Sequence, residues 1–197
     1  MSTIIGLDIG QRRDPTAICV AETERRPAGT RQVYHFLVRH LERLALGTSY
    51  PAITQRLVQI EGQILQRTAQ PPTLYVDATG VGQPVVDLLQ DDLSRSRVIA
   101  VYFTYGDRRT EEENHSVTLG KAYLVSRLQT LLQTGRLHLP RTPESEILAQ
   151  ELLDYQIRVD EKANERYGDF KVGSHDDLVT AMGLAVQTEP RLTSGIR

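Results

Sequence analysis

The order of strand-like and helix-like segments constrains the fold of this 197-residue chain more than any other feature of its sequence. Three runs rich in Ile, Val, Tyr and Phe come first, at residues 3–9, 16–22 and 33–41, and polar turns separate them. Such runs predict three consecutive strands of an antiparallel meander. From Pro51 onward, helix-like and strand-like segments alternate, and this alternation predicts parallel strands with helices packed on them.

The elements of the second part follow from the spacing of apolar residues and from the prolines and glycines between them. They are a helix from Pro51 to Leu65, a strand at Leu74–Asp77, a helix carrying Val85 to Leu89, a strand at Val98–Phe103, a polar loop over residues 105–115, a long helix from Val117 to Leu132, a short extended piece at Leu137–Leu139, a helix at Glu144–Tyr155, a polar hairpin over residues 156–172 and a last helix from Ser174–Asp177 to Val186. The sequence therefore predicts one α/β domain over residues 1–187. We expect a mixed five-stranded sheet, with three antiparallel strands followed by parallel ones, flanked by helices, and a flexible tail over residues 188–197.

Composition is typical of a globular protein in a reducing compartment. Hydrophobic residues make up 40% and charged residues 24% of the chain, and no apolar stretch approaches the ~20 residues of a membrane span. The single cysteine, Cys19, lies in an apolar run and predicts a buried thiol. The net charge of −2 argues against nucleic-acid binding driven by overall positive charge.

Three aspartates occupy positions where a parallel sheet exposes side chains at one edge. Asp8 and Asp77 each end an apolar run, and Asp177 lies at the start of the last predicted helix. Carboxylates at strand ends and at a helix start can converge although they are far apart in sequence. Such oxygen ligands suit Mg²⁺ or Mn²⁺, and a pair of these ions can activate water and stabilise the leaving oxygen in phosphodiester cleavage. The pattern predicts a metal-dependent nuclease.

The adjacent residues Asp176 and Asp177 also have an ordinary structural explanation, since Ser and Asp at a helix start cap free backbone N–H groups. Neighbouring side chains point about 100° apart around a helix, so one aspartate can cap while the other faces the sheet. The apolar stripe of this helix includes Ala181, and Asp177 lies one turn before it. Asp177 is therefore the predicted inward-facing carboxylate, and Asp176 the predicted cap or outer partner.

Other functions are compatible with some of these segments. Ile4–Gly10 and Val76–Gly82 resemble the two phosphate loops of the actin, sugar kinase and heat-shock chaperone superfamily, but those ATPases need two such domains and nearly twice this length. Gly120-Lys121 is not a Walker A loop, because His115 stands where that loop needs glycine. Asp8 taken alone is equally explained as a turn-forming residue after a strand.

The chain resembles the nuclease domain of the large terminase subunit of tailed bacteriophages, from Ile4 to about Val186. The segments that carry the resemblance are Ile5–Asp8, Asp14–Ala17, Tyr75–Gly82, Gly120-Lys121, Leu132–Pro140 and His175–Ala181, and the last of them is the most specific. The order of elements, with carboxylates on the first and fourth strands and on the last helix, likewise resembles the ribonuclease H fold. The resemblance implies this fold and a domain that cuts viral DNA with two divalent metal ions held by three acidic residues.

The site and the partners follow from the same resemblance. By position, the catalytic carboxylates are Asp8, Asp77 and Asp177, with Asp176 beside them at the metal site, and the two ions are Mg²⁺ or Mn²⁺. Expected partners are double-stranded DNA, a packaging ATPase domain, a small terminase subunit and a portal. The expected location is the cytoplasm of a host cell, and no membrane is expected as a partner. Basic residues near the predicted site are candidates for contacts with DNA phosphates; they are Lys121, Arg12, Arg13, Arg108 and Arg109.

Two further functions stay open. The pattern is also similar to Holliday-junction resolvases of the same fold, which place acidic residues on both the first and the second turn of the last helix. Thr180 holds the second-turn position here, which favours the terminase interpretation. The non-enzymatic alternative is a DNA-binding or assembly module with a vestigial acidic cluster, which would bind metal without cutting DNA.

Overall fold

A mixed sheet of eight strands, flanked by helices, forms the centre of the fold in the computed structural model, which describes residues 1–10, 14–112, 116–154, 156–159, 165–168 and 176–190. The strands of this sheet are β1 (Thr3–Asp8), β2 (Ala17–Ala28), β3 (Arg31–Arg43), β4 (Thr73–Asp77), β5 (Arg97–Thr104), β6 (Arg109–Glu111), β7 (Ser116–Gly120) and β8 (Leu137–His138). The helices are α1 (Tyr50–Thr68), α2 (Gln83–Asp92), α3 (Lys121–Gln133), α4 (Pro143–Asp154) and α5 (Asp177–Val186). A separate antiparallel pair consists of β9 (Gln156–Val159) and β10 (Glu165–Gly168).

The strand order across the sheet is β6-β7-β5-β4-β1-β2-β3-β8. The first three strands pair antiparallel as a meander, and β4, β5 and β7 continue from β1 in parallel. This is the predicted arrangement, so the prediction of a ribonuclease-H-like mixed sheet is confirmed. The sheet is larger than the five strands expected, because β7, β6 and β8 extend its two edges.

Two local predictions were wrong in the segment before α3. The long helix begins at Lys121 and not near Val117, because residues 116–120 pair with β5 as a parallel strand. Val117 and Leu119 are both buried against one face of the sheet with Thr118 between them, and this alternation, with a β-branched residue in the middle, favours a strand. The preceding polar segment is not entirely a loop, since β6 pairs with β7 along its edge. The predicted hairpin over residues 156–172 is confirmed as β9 and β10 where the structure describes it.

Helices cover both faces of the sheet, and the alternation of side chains along β1 shows how the faces are divided. Ile5 and Leu7 pack with α1 and α2, whereas Ile4 faces the cluster formed with α3 and α5. Gly6 lies beneath α5, and a Cβ atom there would stand 2.0 Å from the carbonyl oxygen of Ala181. The absence of a side chain at Gly6 therefore allows α5 to lie directly on β1.

Cys19 is fully buried, as predicted, and burial raises the pKa of its thiol. None of the helices within the described ranges combines the length and the apolar character that a membrane crossing requires. The predicted flexible tail lies outside the described residues from Arg191 onward.

Candidate functional site

The carboxyl ends of β1 and β4 lie side by side and bring two of the predicted carboxylates together. Leu7 pairs with Val76, so the next residues on the two parallel strands, Asp8 and Asp77, occupy neighbouring positions at the same edge of the sheet. Adjacent strands are about 4.8 Å apart. Asp8 shares its strand face with Ile4, which packs on the side of α5. The two carboxylates therefore lie at the edge of the sheet on the side that α5 covers.

The same row of the sheet continues on the other side of Asp8 and ends in an arginine. Asp8 is paired with Ala17 of β2, and Ala17 is paired with Arg43, the last residue of β3. Paired residues present their side chains on the same face of a sheet. Arg43 is therefore aligned with Asp8, with the small side chain of Ala17 between them and space above it for the first turn of α5.

The turn after β4 holds Asp77 in place. One oxygen of its carboxylate, Oδ1, accepts a hydrogen bond from the backbone N–H of Thr79 at 2.8 Å, and the Oγ1 of Thr79 accepts one from the N–H of Phe103 at 2.8 Å. Gly82 has a φ of +72° at the start of α2, a conformation that favours glycine. A tight, glycine-dependent turn tied to β5 thus presents Asp77.

The two aspartates at the start of α5 have different surroundings. Asp177 is only 3% exposed, as expected for the inward-facing residue, and its Oδ2 accepts a hydrogen bond from Nε of Arg43 at 2.7 Å. The same guanidinium also bonds the carboxylate of Glu151 on α4 through Nη2. Asp176 occupies the N-cap position, but its side chain makes no capping hydrogen bond.

Another element supplies the cap of α5. The Oε2 of Glu151 accepts a hydrogen bond from the backbone N–H of Val179 at 3.3 Å, and N–H groups of the first turn are those that a cap satisfies. Of the two roles expected for Asp176, cap or outer partner, the structure contradicts the capping role. The physical reason is that α4 packs against the start of α5 and brings a carboxylate to its free N–H groups, which leaves the Asp176 side chain without this role.

Crowding of carboxylates perturbs the protonation of the site. Burial raises the pKa of Asp8 well above its usual value, and the charges of Asp77, Asp176 and Asp177, in decreasing order, raise it further. Burial also raises the pKa of Asp176, and Lys121 opposes both shifts. A half-buried site with several carboxylates and a lysine nearby has a deficit of positive charge that a cation would relieve.

A third shifted carboxyl group lies beside Arg43. Burial, followed by the charge of Asp177, raises the pKa of Glu151 to about 7, although Arg43 and the N–H of Val179 act in the opposite direction. The carboxyl groups of Asp177 and Glu151 thus share one guanidinium. They form a cluster of opposite charges next to the carboxylates around Asp8.

The candidate DNA-contact residues have unequal positions. Lys121 is the first residue of α3, and its Nζ lies 5.5 Å from the ring centre of Phe103, on the same side as the carboxylates. Arg108 is exposed and accepts a hydrogen bond from Gly120 through its backbone oxygen. The guanidinium of Arg109, 12% exposed, bonds Gln187 and Glu111 at 2.9 Å each. Arg12 and Arg13 lie outside the described residues.

Sequence reasoning missed Arg43 and Glu151. Arg43 lies two residues beyond the predicted strand at residues 33–41, and only the longer β3 of the structure gives it a strand-end position like that of Asp8. No signal pointed to Glu151. Within the described ranges, no three His, Cys, Asp or Glu side chains stand close enough, as placed, to hold a metal ion together.

Comparison with known proteins identifies the family to which this arrangement is similar. A family model described as the terminase RNaseH-like domain matches residues 5–189. No curated protein sequence matches the chain significantly.

Several solved structures have a similar fold. The large terminase nuclease of thermophilic phage G20c, with bound cobalt, superposes with a TM-score of 0.64 at 18% identity, over 94% of this chain and 80% of that chain. The human cytomegalovirus terminase nuclease domain, soaked in manganese, gives a TM-score of 0.54 at 17% identity, over 92% and 80% of the respective chains. The HK97 bacteriophage large terminase gives 0.58 at 15% identity, and 94% of this chain matches 39% of that longer chain.

Proposed function

Because the chain belongs to the family of terminase RNaseH-like domains, we propose that it is a divalent-metal-dependent endonuclease that cuts double-stranded DNA during the packaging of a viral genome. The observation that supports this most directly is the convergence of Asp8, Asp77 and the first turn of α5 at one edge of the sheet. The pKa of Asp8 is raised by burial and by three other carboxylates, which is the environment expected where a bound cation is part of the working state.

The donor set suits hard divalent cations. Carboxylate oxygens are the ligands that Mg²⁺ and Mn²⁺ prefer, and relatives of the same fold have been crystallised with bound cobalt or magnesium or soaked in manganese. When bound, two such ions supply an activated water and stabilise negative charge on the leaving oxygen. Among the described residues, no three His, Cys, Asp or Glu side chains are close enough to bind one ion. We therefore infer that the side chains of the half-buried Asp8 and Asp77 change rotamer when a cation binds.

Asp8, Asp77 and one of the two aspartates at the start of α5 hold the ions in this proposal. The sequence favours Asp177 as the third ligand, and it stays a candidate. We nevertheless favour Asp176. Asp177 is already bonded to Arg43, and the charge of Asp176 raises the pKa of Asp8 more than the charge of Asp177 does. Asp176→Asn should therefore weaken Mn²⁺ binding more than Asp177→Asn does, as measured by titrating free Mn²⁺ by electron paramagnetic resonance. The reverse order would restore Asp177 as the ligand.

Basic residues around the site have the role of contacting DNA. Lys121 lies near Asp8 and Asp176, so its ammonium group is placed to contact a phosphate next to the one that is cut. Arg108 is exposed beside the same helix start and can follow the DNA backbone. Arg12 and Arg13 stay in this proposal on their sequence position alone. Arg109 is the weakest candidate, because its guanidinium is already bonded within the protein.

Cleavage of supercoiled plasmid tests the proposal. We expect nicked and linear products with Mg²⁺ or Mn²⁺, little turnover with Ca²⁺, and none with excess EDTA. Ca²⁺ is larger and accepts looser geometry, so it binds oxygen ligands without the alignment that cleavage needs. Cleavage that persists after exhaustive chelation would contradict the mechanism.

The same assay separates the alternative functions. Metal binding without cleavage of any DNA would support the non-enzymatic module. A strong preference for four-way junctions over linear duplex would support the resolvase interpretation. Comparable cleavage of plasmid and linear duplex supports the terminase function, with packaging ATPase, small subunit and portal as its proposed partners.

A further inference from the structure

Arg43 connects three elements that are separated along the chain. It ends β3, and its guanidinium bonds Asp177 on α5 through Nε at 2.7 Å and Glu151 on α4 through Nη2. Asp177 and Glu151 are 3% and 7% exposed, and the Arg43 side chain is 25% exposed. A planar guanidinium can bond two carboxylates at once, which a lysine ammonium does with much less geometric definition.

The orientation of the first turn of α5 depends on this connection. Glu151 uses one oxygen for Arg43 and the other for the backbone N–H of Val179. The turn is thus held at Asp177 by its side chain and at Val179 by its backbone. Since Asp176 immediately precedes these two positions, the direction of its side chain follows from the way in which they are held.

The two adjacent aspartates have therefore separated roles. Asp177 is directed towards Arg43, which lies in the same row of the sheet as Asp8 with only Ala17 between them, and Asp176 immediately precedes Asp177 at the N-cap of α5. Glu151 provides the capping hydrogen bond that Asp176 does not make. The Asp176 carboxylate is therefore released from capping.

We propose that Arg43 is a positioning residue for the metal site: by joining Asp177 to Glu151 it fixes the first turn of α5 so that Asp176 faces Asp8. This inference rests on the proposed function, because it concerns the affinity of that site for its cation. In this proposal Arg43 acts through Asp176 and contacts neither the cation nor the DNA. Residues that orient metal ligands change metal affinity by about 10–100-fold when they are removed.

The test compares Arg43→Gln and Arg43→Lys with a matched control on the same strand. Arg39 also lies on β3 and also pairs with a buried carboxylate, Glu22, at 2.7 Å, but Glu22 is on β2 and its other ion pair is with Arg67 of α1. Arg39→Gln therefore removes an equivalent ion pair without disturbing the first turn of α5. The affinity of each variant for Mn²⁺ alone is measured by electron paramagnetic resonance, and plasmid cleavage is measured as a function of Mn²⁺ concentration.

We expect the dissociation constant for Mn²⁺ to rise about tenfold or more in Arg43→Gln and by a smaller factor in Arg43→Lys. The Mn²⁺ concentration for half-maximal cleavage should rise in parallel, while the rate at saturating Mn²⁺ stays within a few fold of wild type. Arg39→Gln should bind Mn²⁺ as wild type does, even where its melting temperature falls as far as that of Arg43→Gln. A general loss of structure would not produce this combination.

Three outcomes would overturn the proposal. In the first, Arg43→Gln binds Mn²⁺ within twofold of wild type. In the second, it binds Mn²⁺ more tightly, which would make Arg43 a competitor of the cation. In the third, Arg43→Gln does not fold and the folded Arg43→Lys binds Mn²⁺ as wild type does. Failure of the proposed function is a separate result, because wild-type protein would then bind no Mn²⁺ or cut no DNA.

Discussion

The carboxylates around Asp8 and the carboxylates beside Arg43 lie on the same side of the sheet but differ in the cations that face them. Burial raises the pKa of Asp8, the charges of Asp77, Asp176 and Asp177 raise it further, and Lys121 opposes them only in part. Beside Arg43, Asp177 and Glu151 both bond one guanidinium directly. The first group has excess negative charge, and the second has a cation within hydrogen-bonding distance of each carboxylate.

A third buried carboxylate extends the comparison. Glu22 on β2 is 2% exposed and forms ion pairs with Arg39 of β3 and Arg67 of α1. It joins a helix to the sheet and has no part in the candidate site. Buried charge without a partner lowers stability, so it persists in proteins mainly where function uses it. Ion-paired buried carboxylates such as Glu22 hold secondary-structure elements together. The presence or absence of a direct ion pair therefore distinguishes these structural carboxylates from those of the candidate site.

The largest expected effect comes from neutralising Asp8, for which the part of the chain that the structure describes contains no ion pair. Asp8→Asn should lower plasmid cleavage by about 10³-fold or more, because a ligand shared by the proposed ions is lost. It should leave the melting temperature in EDTA unchanged or higher, since one of several crowded negative charges is removed. Thermal unfolding and cleavage are measured on the same preparation, with Asp91→Asn, an exposed change on α2, as the control. Retained cleavage, or a large fall in melting temperature, would contradict this prediction.

Neutralising a paired carboxylate should have the opposite consequences. Glu22→Gln removes the charge that Arg39 and Arg67 bond, and we expect the free energy of unfolding to fall by about 1–3 kcal/mol. Cleavage at saturating Mn²⁺ should stay within twofold of wild type. Urea unfolding gives the first quantity and the plasmid assay the second. Loss of cleavage without loss of stability would mean that this cluster also belongs to the site.

The positions of Asp8 and Asp77 were easier to predict from the sequence than the ion pairs of Arg43. Asp8 and Asp77 could be placed because each ends an apolar run, and parallel strands bring such ends together. The division of roles between Asp176 and Asp177 could not be predicted, since it depends on the packing of α4 and on the reach of Arg43. Local pattern specifies that one of two adjacent residues is buried, but it does not specify which distant side chain that residue meets.

The same reasoning explains the error before α3. Val117 fits a helical spacing with Leu124 and Leu128 as well as it fits a strand, so the apolar pattern alone is ambiguous. Residues 116–120 form the strand β7 because they pair with β5, and that pairing is a tertiary contact. The helix start at Lys121, which brings this residue near Asp8, was therefore not predictable from the segment itself.

The smallest predicted effect concerns the pH dependence of stability. A carboxyl group whose pKa is raised in the folded protein binds its proton more tightly there than in the unfolded chain. Between the two pKa values the folded state holds more protons, so stability falls as pH rises through this range. The pKa of Asp8 is raised above its unperturbed value of 3.8. The wild type should thus lose stability relative to Asp8→Asn as pH rises from 3.8 towards the folded pKa.

Urea unfolding in EDTA at several pH values between about 4 and 8 measures this difference, because asparagine does not titrate in the range. Groups that titrate alike in both proteins cancel when the two free energies are subtracted. Asp92→Asn, exposed on α2, controls for the removal of one negative charge from the surface. Adding Mn²⁺ at the high end of the range should reduce the disadvantage of the wild type, since the cation binds the ionised carboxylate. A difference that is constant with pH would show that Asp8 has an ordinary environment, and the contrast between Asp8 and the ion-paired carboxylates would then be lost.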